Sequence, residues 1–216
     1  MTTNHHQPDP RQTARARARY DRVARVYDLM NFCSEFVYRR WREWLWRQAP
    51  NHGRVLEVGV GTGKNIPYHP HDTQVIGIDL SPKMLARAKR YKQKLGAQTE
   101  LVLGDAQALD LPDASVDAAF ATFVFCSVPD PVLGFRELRR VVRPSGRVYL
   151  LEHMRSANKF IGWWMDFINP LVVATMGFNI NRHTLENIEE AGLQIERAQD
   201  VGLGGIFKII VARSRR

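Results

Sequence analysis

The chain has 216 residues, 44% of them hydrophobic and 25% charged, which suffices to bury one sizeable core and argues against two full domains. Lys and Arg number 31 against 22 Asp and Glu, a formal net charge of +9, so an anionic partner is favoured, with nucleic acid and anionic membrane both candidates. The two cysteines, Cys33 and Cys126, stand far apart without a Cys-x-x-Cys or neighbouring His pattern, which indicates neither a disulfide framework nor a structural zinc site and fits a reducing cytoplasm.

The first residues are polar, with Asn4, His5, His6 and Pro8 and no apolar signal core after them, so export is not expected. Residues 1–50 carry ten Arg against five acids and read as a basic amphipathic helical extension, with Arg15, Arg19 and Arg22 on one helical face. Near its end, Trp41, Trp44, Leu45 and Trp46 suit either an amphipathic surface or the core.

From Arg54 onward, short β-branched runs alternate with helical patterns, as βαβ units around a parallel sheet do. The expected strands are Arg54–Val58, Gln74–Asp79, Glu100–Leu103, Val116–Ala121, Val148–Glu152, Gln194–Asp200 and Ile206–Ala212. After the second, Ser81 is a natural N-cap with Pro82 at the first helical position, and Met84, Leu85, Ala88, Tyr91 and Leu95 form an apolar stripe. After the fourth, Asp130 caps a helix that turns Phe135, Leu138 and Val142 inward and stops at a Pro144-Ser145-Gly146 turn.

An apolar insert spans residues 157–182; Asp166, Asn169 and Pro170 interrupt it, which argues against a transmembrane span. The last two strands are joined only through Gly202-Leu203-Gly204-Gly205, too short for a parallel crossover, so they form an antiparallel hairpin. The fold class is therefore α/β: a Rossmann-like seven-stranded sheet, six strands parallel and one antiparallel, with helices on both faces. An N-terminal helical extension (1–50) precedes the domain (51–216), and the insert follows the fifth strand.

Gly59, Gly61 and Gly63 directly follow a buried strand, so the chain turns tightly and lets a ligand touch backbone. The third glycine comes one residue too early for the dinucleotide fingerprint, and Lys64 is followed by Asn65 rather than Ser or Thr, which excludes a phosphate-cradling P-loop. Asp79 closes the second strand, where its acceptor-only carboxylate suits a ribose diol, and Asp105 in Gly104-Asp105-Ala106 can accept from an adenine amine.

With Leu56-Glu57-Val58-Gly59-Val60-Gly61-Thr62-Gly63, Asp79, Gly104-Asp105-Ala106 and Pro144-Ser145-Gly146 in this order, the chain resembles class I methyltransferases. That resemblance implies S-adenosylmethionine as cofactor and no metal. It places the methionine end on the glycine turn, the ribose on Asp79 and the adenine on Asp105 and Ala106, with Glu57, Asn65, Leu80 and Phe123 completing the cofactor site.

A closer resemblance, over about residues 20–213, is to bacterial phosphatidylethanolamine N-methyltransferases, with ubiquinone/menaquinone C-methyltransferases as the nearby alternative. It is carried by Tyr20-Asp21, Val26-Tyr27-Asp28, Leu151-Glu152-His153-Met154-Arg155 and the insert before Arg182-His183-Thr184. It implies stepwise methylation of a phospholipid by an enzyme peripheral to the inner face of the cytoplasmic membrane, where basic and aromatic residues meet an anionic surface. Nucleic acid is not expected, since no RNA-binding motif is appended, and no obligate protein partner is evident.

An ethanolamine nitrogen near neutral pH is protonated, so a proton acceptor is useful. Tyr27 and His153 are the expected pair, as in phosphoethanolamine methyltransferases, with Glu152 the alternative partner. Tyr20, Tyr27 or Trp163 offers an aromatic face to a methylated cation, and Arg155 or Arg182 suits the lipid phosphate.

Overall fold

The computed structural model describes residues 7–30, 32–175, 177–202 and 205–214, without the side chains of Met30, Phe32 and Cys33. The lead-in forms α1 (Pro10–Val23), α2 (Tyr27–Met30) and α3 (Phe32–Trp46). Then come β1 (Arg54–Val58), β2 (Gln74–Asp79), α4 (Pro82–Leu95), β3 (Glu100–Leu103), β4 (Val116–Thr122) and α5 (Pro131–Val141). The chain continues through β5 (Val142–His153), α6 (Lys159–Thr175), α7 (Thr184–Glu190), β6 (Leu193–Asp200) and β7 (Phe207–Ser214).

The strands form one sheet in the order β3-β2-β1-β4-β5-β7-β6. β1 pairs in parallel with β2 and β4, and β7 runs antiparallel to both β5 and β6. The strand order reverses beside β1, which is where doubly wound sheets open a crevice at their carboxyl ends. Leu203 and Gly204, in the expected hairpin turn, lie outside the described residues.

Alternation along the buried strands feeds two cores. On one face Leu56, Val58, Ala119, Ala121, Val148 and Leu150 pack with Phe135 and Leu138 of α5 and Ile188 of α7. On the other, Val55, Ala118, Phe120 and Leu151 meet Leu45 and Trp46 of α3, and the Trp46 ring stacks on Phe120 at 4.3 Å. Fully burying side chains of this size stabilises the fold by about 1.5–3 kcal/mol each, so α3 is part of the domain and not a detachable arm.

Ser81 caps α4 by accepting from the Met84 N–H, and Asp130 caps α5 by accepting from the Leu133 N–H. Three expectations change. β5 starts at Val142, opposite Val116, and the Pro144-Ser145-Gly146 turn is absorbed into the strand as a register shift. A Cβ on Gly146 would lie 2.4 Å from the Asp117 carbonyl oxygen, so only glycine permits that approach. The α4 stripe ends early, with Tyr91 and Leu95 exposed. Helix α6 continues through Pro170, and no helix among the described residues is long and apolar enough to cross a membrane.

Candidate active site

A cavity opens at the carboxyl ends of β1, β2 and β4, where doubly wound sheets bind their ligands. Its lining includes Gly59, Gly61, Asp79, Leu80, Asp105, Ala106 and Phe123. In the glycine turn, a Cβ at Gly59 would strike Val124 and one at Gly63 would strike Ile66; these two glycines allow close packing. Gly61, at φ +57°, has its nearest obstacle at 3.9 Å, so it presents bare backbone to the cavity.

The Asp79 carboxylate accepts from the Gly61 N–H and the Ser81 N–H, both at 2.8 Å. Burial raises its pKa to about 6. Both oxygens keep a free lone pair for hydroxyl donors. Asp105 accepts from the Gln107 N–H at 2.9 Å and from the Thr13 hydroxyl of α1 at 3.0 Å. Phe123 leaves β4 at φ +57°, a conformation that is costly for a large side chain and that concentrates at functional sites.

The lead-in closes this cavity. Ala16, Tyr20 and Tyr27 line it, Arg17 donates to the Leu80 carbonyl at 3.1 Å, and Ser81 donates to Asp21 at 2.6 Å. Asp28 accepts from Thr62 in the glycine turn at 2.7 Å and pairs with Arg87 at 2.5 Å and Lys64 at 3.3 Å. Arg19 donates to the Gly177 carbonyl at 2.7 Å, so it leaves the solvent face expected to hold it beside Arg15 and Arg22.

Glu57 and Asn65 do not line the cavity. Glu57 is fully buried beneath the turn, accepting from Asn65 at 2.7 Å and contacting His69 Nε2 at 2.9 Å. Asn65 in turn accepts from Arg42 of α3 at 2.9 Å. Both residues therefore brace the glycine turn from below. Arg42, which no motif singled out, joins this bracing; its only sequence signal was membership of an Arg-rich run.

Glu152 and His153 end β5 beside the cavity wall. One Glu152 oxygen accepts from the Val124 and Phe125 N–H groups at 2.8 and 3.0 Å. Among the described residues the other has no partner, nor has His153 Nε2. Burial pushes Glu152 up to about 7 and His153 down to about 4, below the free-histidine value that had recommended it. His153 is therefore neutral at pH 7, and its burial opposes protonation. Burial also lifts Tyr27 to about 12 and Tyr20 well above the ordinary phenol range, which makes both tyrosines donors and not bases.

The His153 ring lies 6.3 Å from Phe123 and 5.4 Å from Phe178. Cys126, missed by the sequence reading, lies with Glu152 and His153 in one group whose donor atoms are within 4.8 Å of one another. The remaining expected substrate residues lie outside the cavity lining. Arg155 forms a forked pair with Asp166 at 2.8 to 3.1 Å, Arg182 donates to the Val128 carbonyl, and Trp163 is 56% exposed on α6.

A Rossmann-like sheet with an open glycine turn, an acid at the end of β2 and a second acid after β3 defines a protein that binds a nucleoside cofactor without cradling phosphate. Comparison with known proteins makes this specific. Residues 56–150 match the methyltransferase domain family model. The chain is 38% identical to phosphatidylethanolamine N-methyltransferase from Cereibacter sphaeroides over 56% of its length and 68% of the relative. It is 33% identical to demethylmenaquinone methyltransferase from Deinococcus radiodurans over 75% and 71%. Its fold matches a SAM-dependent methyltransferase from Thermotoga maritima at a TM-score of 0.68 and 21% identity, covering 92% and 99% of the two chains. The chain belongs to the S-adenosylmethionine-dependent methyltransferases, and the bare Gly61 backbone with the two carboxylates fits that cofactor.

Proposed function

We propose that this methyltransferase acts on the amine of phosphatidylethanolamine at a membrane surface, proceeding toward phosphatidylcholine. The observation that carries this reading is the outward face of α6. Phe160, Trp163, Phe167 and Leu171 follow one another at helical spacing, and each is more than half exposed. An apolar face of this kind marks an interaction surface, and aromatic rings favour the headgroup level of a bilayer. An acceptor dissolved in water has no need of it.

When bound, the cofactor supplies an electrophilic methyl group on a sulfonium. The chain's tasks are then to hold it, align the acceptor lone pair and exclude water. Gly61 would receive the amino-acid end, Asp79 the ribose, and Asp105 with Ala106 the adenine. Tyr20 and Tyr27, contributed by the lead-in, close the cavity against water.

A protonated ethanolamine must lose its proton before it can attack. Our candidate to take that proton is His153, with the adjacent Glu152 carboxylate offsetting the burial that opposes the imidazolium. The Tyr27 phenol orients the amine as a donor or through its ring face. For the lipid phosphate we favour Arg182, whose Nε has no partner among the described residues, over Arg155, which Asp166 holds.

Expression in a bacterium lacking phosphatidylcholine, followed by lipid chromatography, tests the reading. Mono-, di- or trimethylated ethanolamine lipids are expected; rescue of a quinone-methylation mutant without any methylated lipid would favour the quinone reading instead.

A further inference from the structure

The turn after β4 and the end of β5 bring three different donors together. Cys126, Glu152 and His153 each offer one ligand atom, and these atoms all lie within 4.8 Å of one another. Cys126 and Glu152 are buried and His153 is half-buried. The Val124 and Phe125 N–H groups occupy one Glu152 oxygen at 2.8 and 3.0 Å. Among the described residues, its second oxygen and His153 Nε2 are shielded from water and have no partner. The Cys126 thiol has only long contacts of 3.6 Å to the Phe123 carbonyl and the Ser127 hydroxyl. Buried polar groups are nearly always satisfied, so two orphaned atoms beside a thiol point to a ligand for that place.

The donors fix its chemistry. A lone buried thiolate or carboxylate is costly, but a dication balances the two negative charges that Cys126 and Glu152 supply together. Thiolate and imidazole select ions of the zinc class, whereas magnesium and calcium take oxygen ligands. Zinc sits about 2.3 Å from sulfur and about 2.0–2.2 Å from nitrogen and oxygen, so tetrahedral donors stand roughly 3.5 Å apart. Donors no more than 4.8 Å apart reach that spacing by closing about 1 Å, within the range of side-chain rotation. The two N–H groups on Glu152 hold its carboxylate in place, as groups behind a metal ligand do. Val124 and Ser127, on either side of Cys126, line the cofactor cavity, which gives an ion its entry path.

We propose that Cys126, Glu152 and His153 form a binding site for a thiophilic divalent cation of the zinc class. On binding, the Cys126 S–H bond gives way to a sulfur–metal bond and the proton leaves to solvent, as does any proton on Glu152. His153 contributes its Nε2 lone pair, and nothing is oxidised or reduced. Such an ion competes with methyl transfer and does not serve it, a consequence that rests on the reading of His153 as the acceptor of the ethanolamine proton.

Cobalt reports on the site directly, because a thiolate ligand adds a strong near-ultraviolet charge-transfer band that His5 and His6 cannot produce. The full chain, freed of metal and kept under a non-thiol reductant, is titrated with cobalt and then with zinc, beside Cys33→Ser, Cys126→Ser and His153→Ala. A single equivalent of cobalt should give the band in the full chain and in Cys33→Ser, and zinc should displace it. Cys126→Ser should lack the band, and His153→Ala should reach it only with affinity lowered about tenfold or more. Cofactor affinity checks that each variant folds, and the half-buried His153 carries the test if Cys126→Ser does not fold.

No band in the full chain, a band that follows Cys33 and not Cys126, or unchanged affinity in His153→Ala would overturn the site. In the same samples, phosphatidylethanolamine methylation should fall at zinc concentrations that displace cobalt and return with a chelator. A full band with methylation untouched by zinc would keep the site and overturn His153 as the proton acceptor. A full band with no lipid methylated, even by the metal-free chain, would keep the site and overturn the headgroup reading.

Discussion

On the proposed cofactor assignment Asp79 joins two tasks at one carboxylate: it fixes the Gly61 and Ser81 N–H groups at 2.8 Å and would offer its remaining lone pairs to the cofactor. Hydrogen bonds to a charged group contribute about 1.5–3 kcal/mol, so Asp79→Asn should weaken cofactor binding by roughly ten- to a hundredfold in calorimetry. Burial places the Asp79 pKa at about 6. In the full chain, cofactor affinity should therefore fall as pH drops through 6, a dependence that Asp79→Asn lacks.

Glu152 and His153 titrate with opposite consequences for stability. Glu152 is raised from 4.5 to about 7, so its contribution is greatest below pH 4.5 and is lost as pH rises to 7, on the order of 3 kcal/mol. His153 is lowered from 6.5 to about 4, so its contribution is present above pH 6.5 and is lost on acidification. Over the shared range the two slopes offset each other. Glu152→Gln keeps an acceptor for the Val124 and Phe125 N–H groups and should melt above the full chain at pH 7.5, the gain vanishing near pH 4.5. A gain that does not depend on pH would show that the buried carboxyl is not the cause. For the chemistry, His153→Ala should lower kcat by about a hundredfold or more while cofactor affinity persists.

At the scale of elements, α1 and α6 present different surfaces. α1 buries only Ala16, is tied to the cofactor site by Thr13 and Arg17, and turns Arg11, Arg15 and Arg22 outward. α6 turns out rings. On anionic vesicles, Arg15→Glu with Arg22→Glu should weaken binding most at low salt, where each basic residue contributes about 1 kcal/mol. Trp163→Ala with Phe167→Ala should weaken it equally at low and high salt. Vesicle sedimentation across a salt series separates the two, and a salt-dependent loss for the α6 variant would assign that helix no apolar role.

The strands were legible in the sequence because β-branched runs and flanking turns act locally, and β1, β2 and β3 match the expected spans. The start of β5 was not, since Pro144 and Gly146 signal a turn, while the strand is imposed by pairing with Val116 and by the close approach of Gly146 to Asp117. The expected cofactor residues that line the cavity lie in contiguous motifs, which is why their convergence was legible. The bracing of Glu57 by Asn65, Arg42 and His69 could not, because it joins residues from three separate segments. Nor did the sequence show that Arg155 would be taken by Asp166, eleven residues further on.

At the scale of the molecule, the +9 charge admits two anionic partners, and their physics differs. Binding to nucleic acid releases counterions in proportion to the phosphates neutralised, so its affinity falls steeply and linearly in log salt. A membrane engaged by arginines alone would also lose affinity with salt, but one that also takes up the α6 rings retains an apolar component beyond the reach of screening. The basic residues here are dispersed: Lys64, Arg87, Arg90 and Lys94 border one depression with Asp28 among them, and Arg11, Arg15 and Arg22 lie on α1. Four exposed rings, Phe160, Trp163, Trp164 and Phe167, are gathered on α6, where Trp163 stacks on Phe167 at 5.8 Å in an apolar run and not along a basic groove of the kind that stacks bases. The full chain should therefore stay bound to anionic vesicles as salt rises to about 0.5 M, where screening is nearly complete, while any association with RNA of equal phosphate content is lost. Co-sedimentation of the two ligands in one salt series measures this directly, and retention on RNA with release from vesicles would reverse the assignment of the partner.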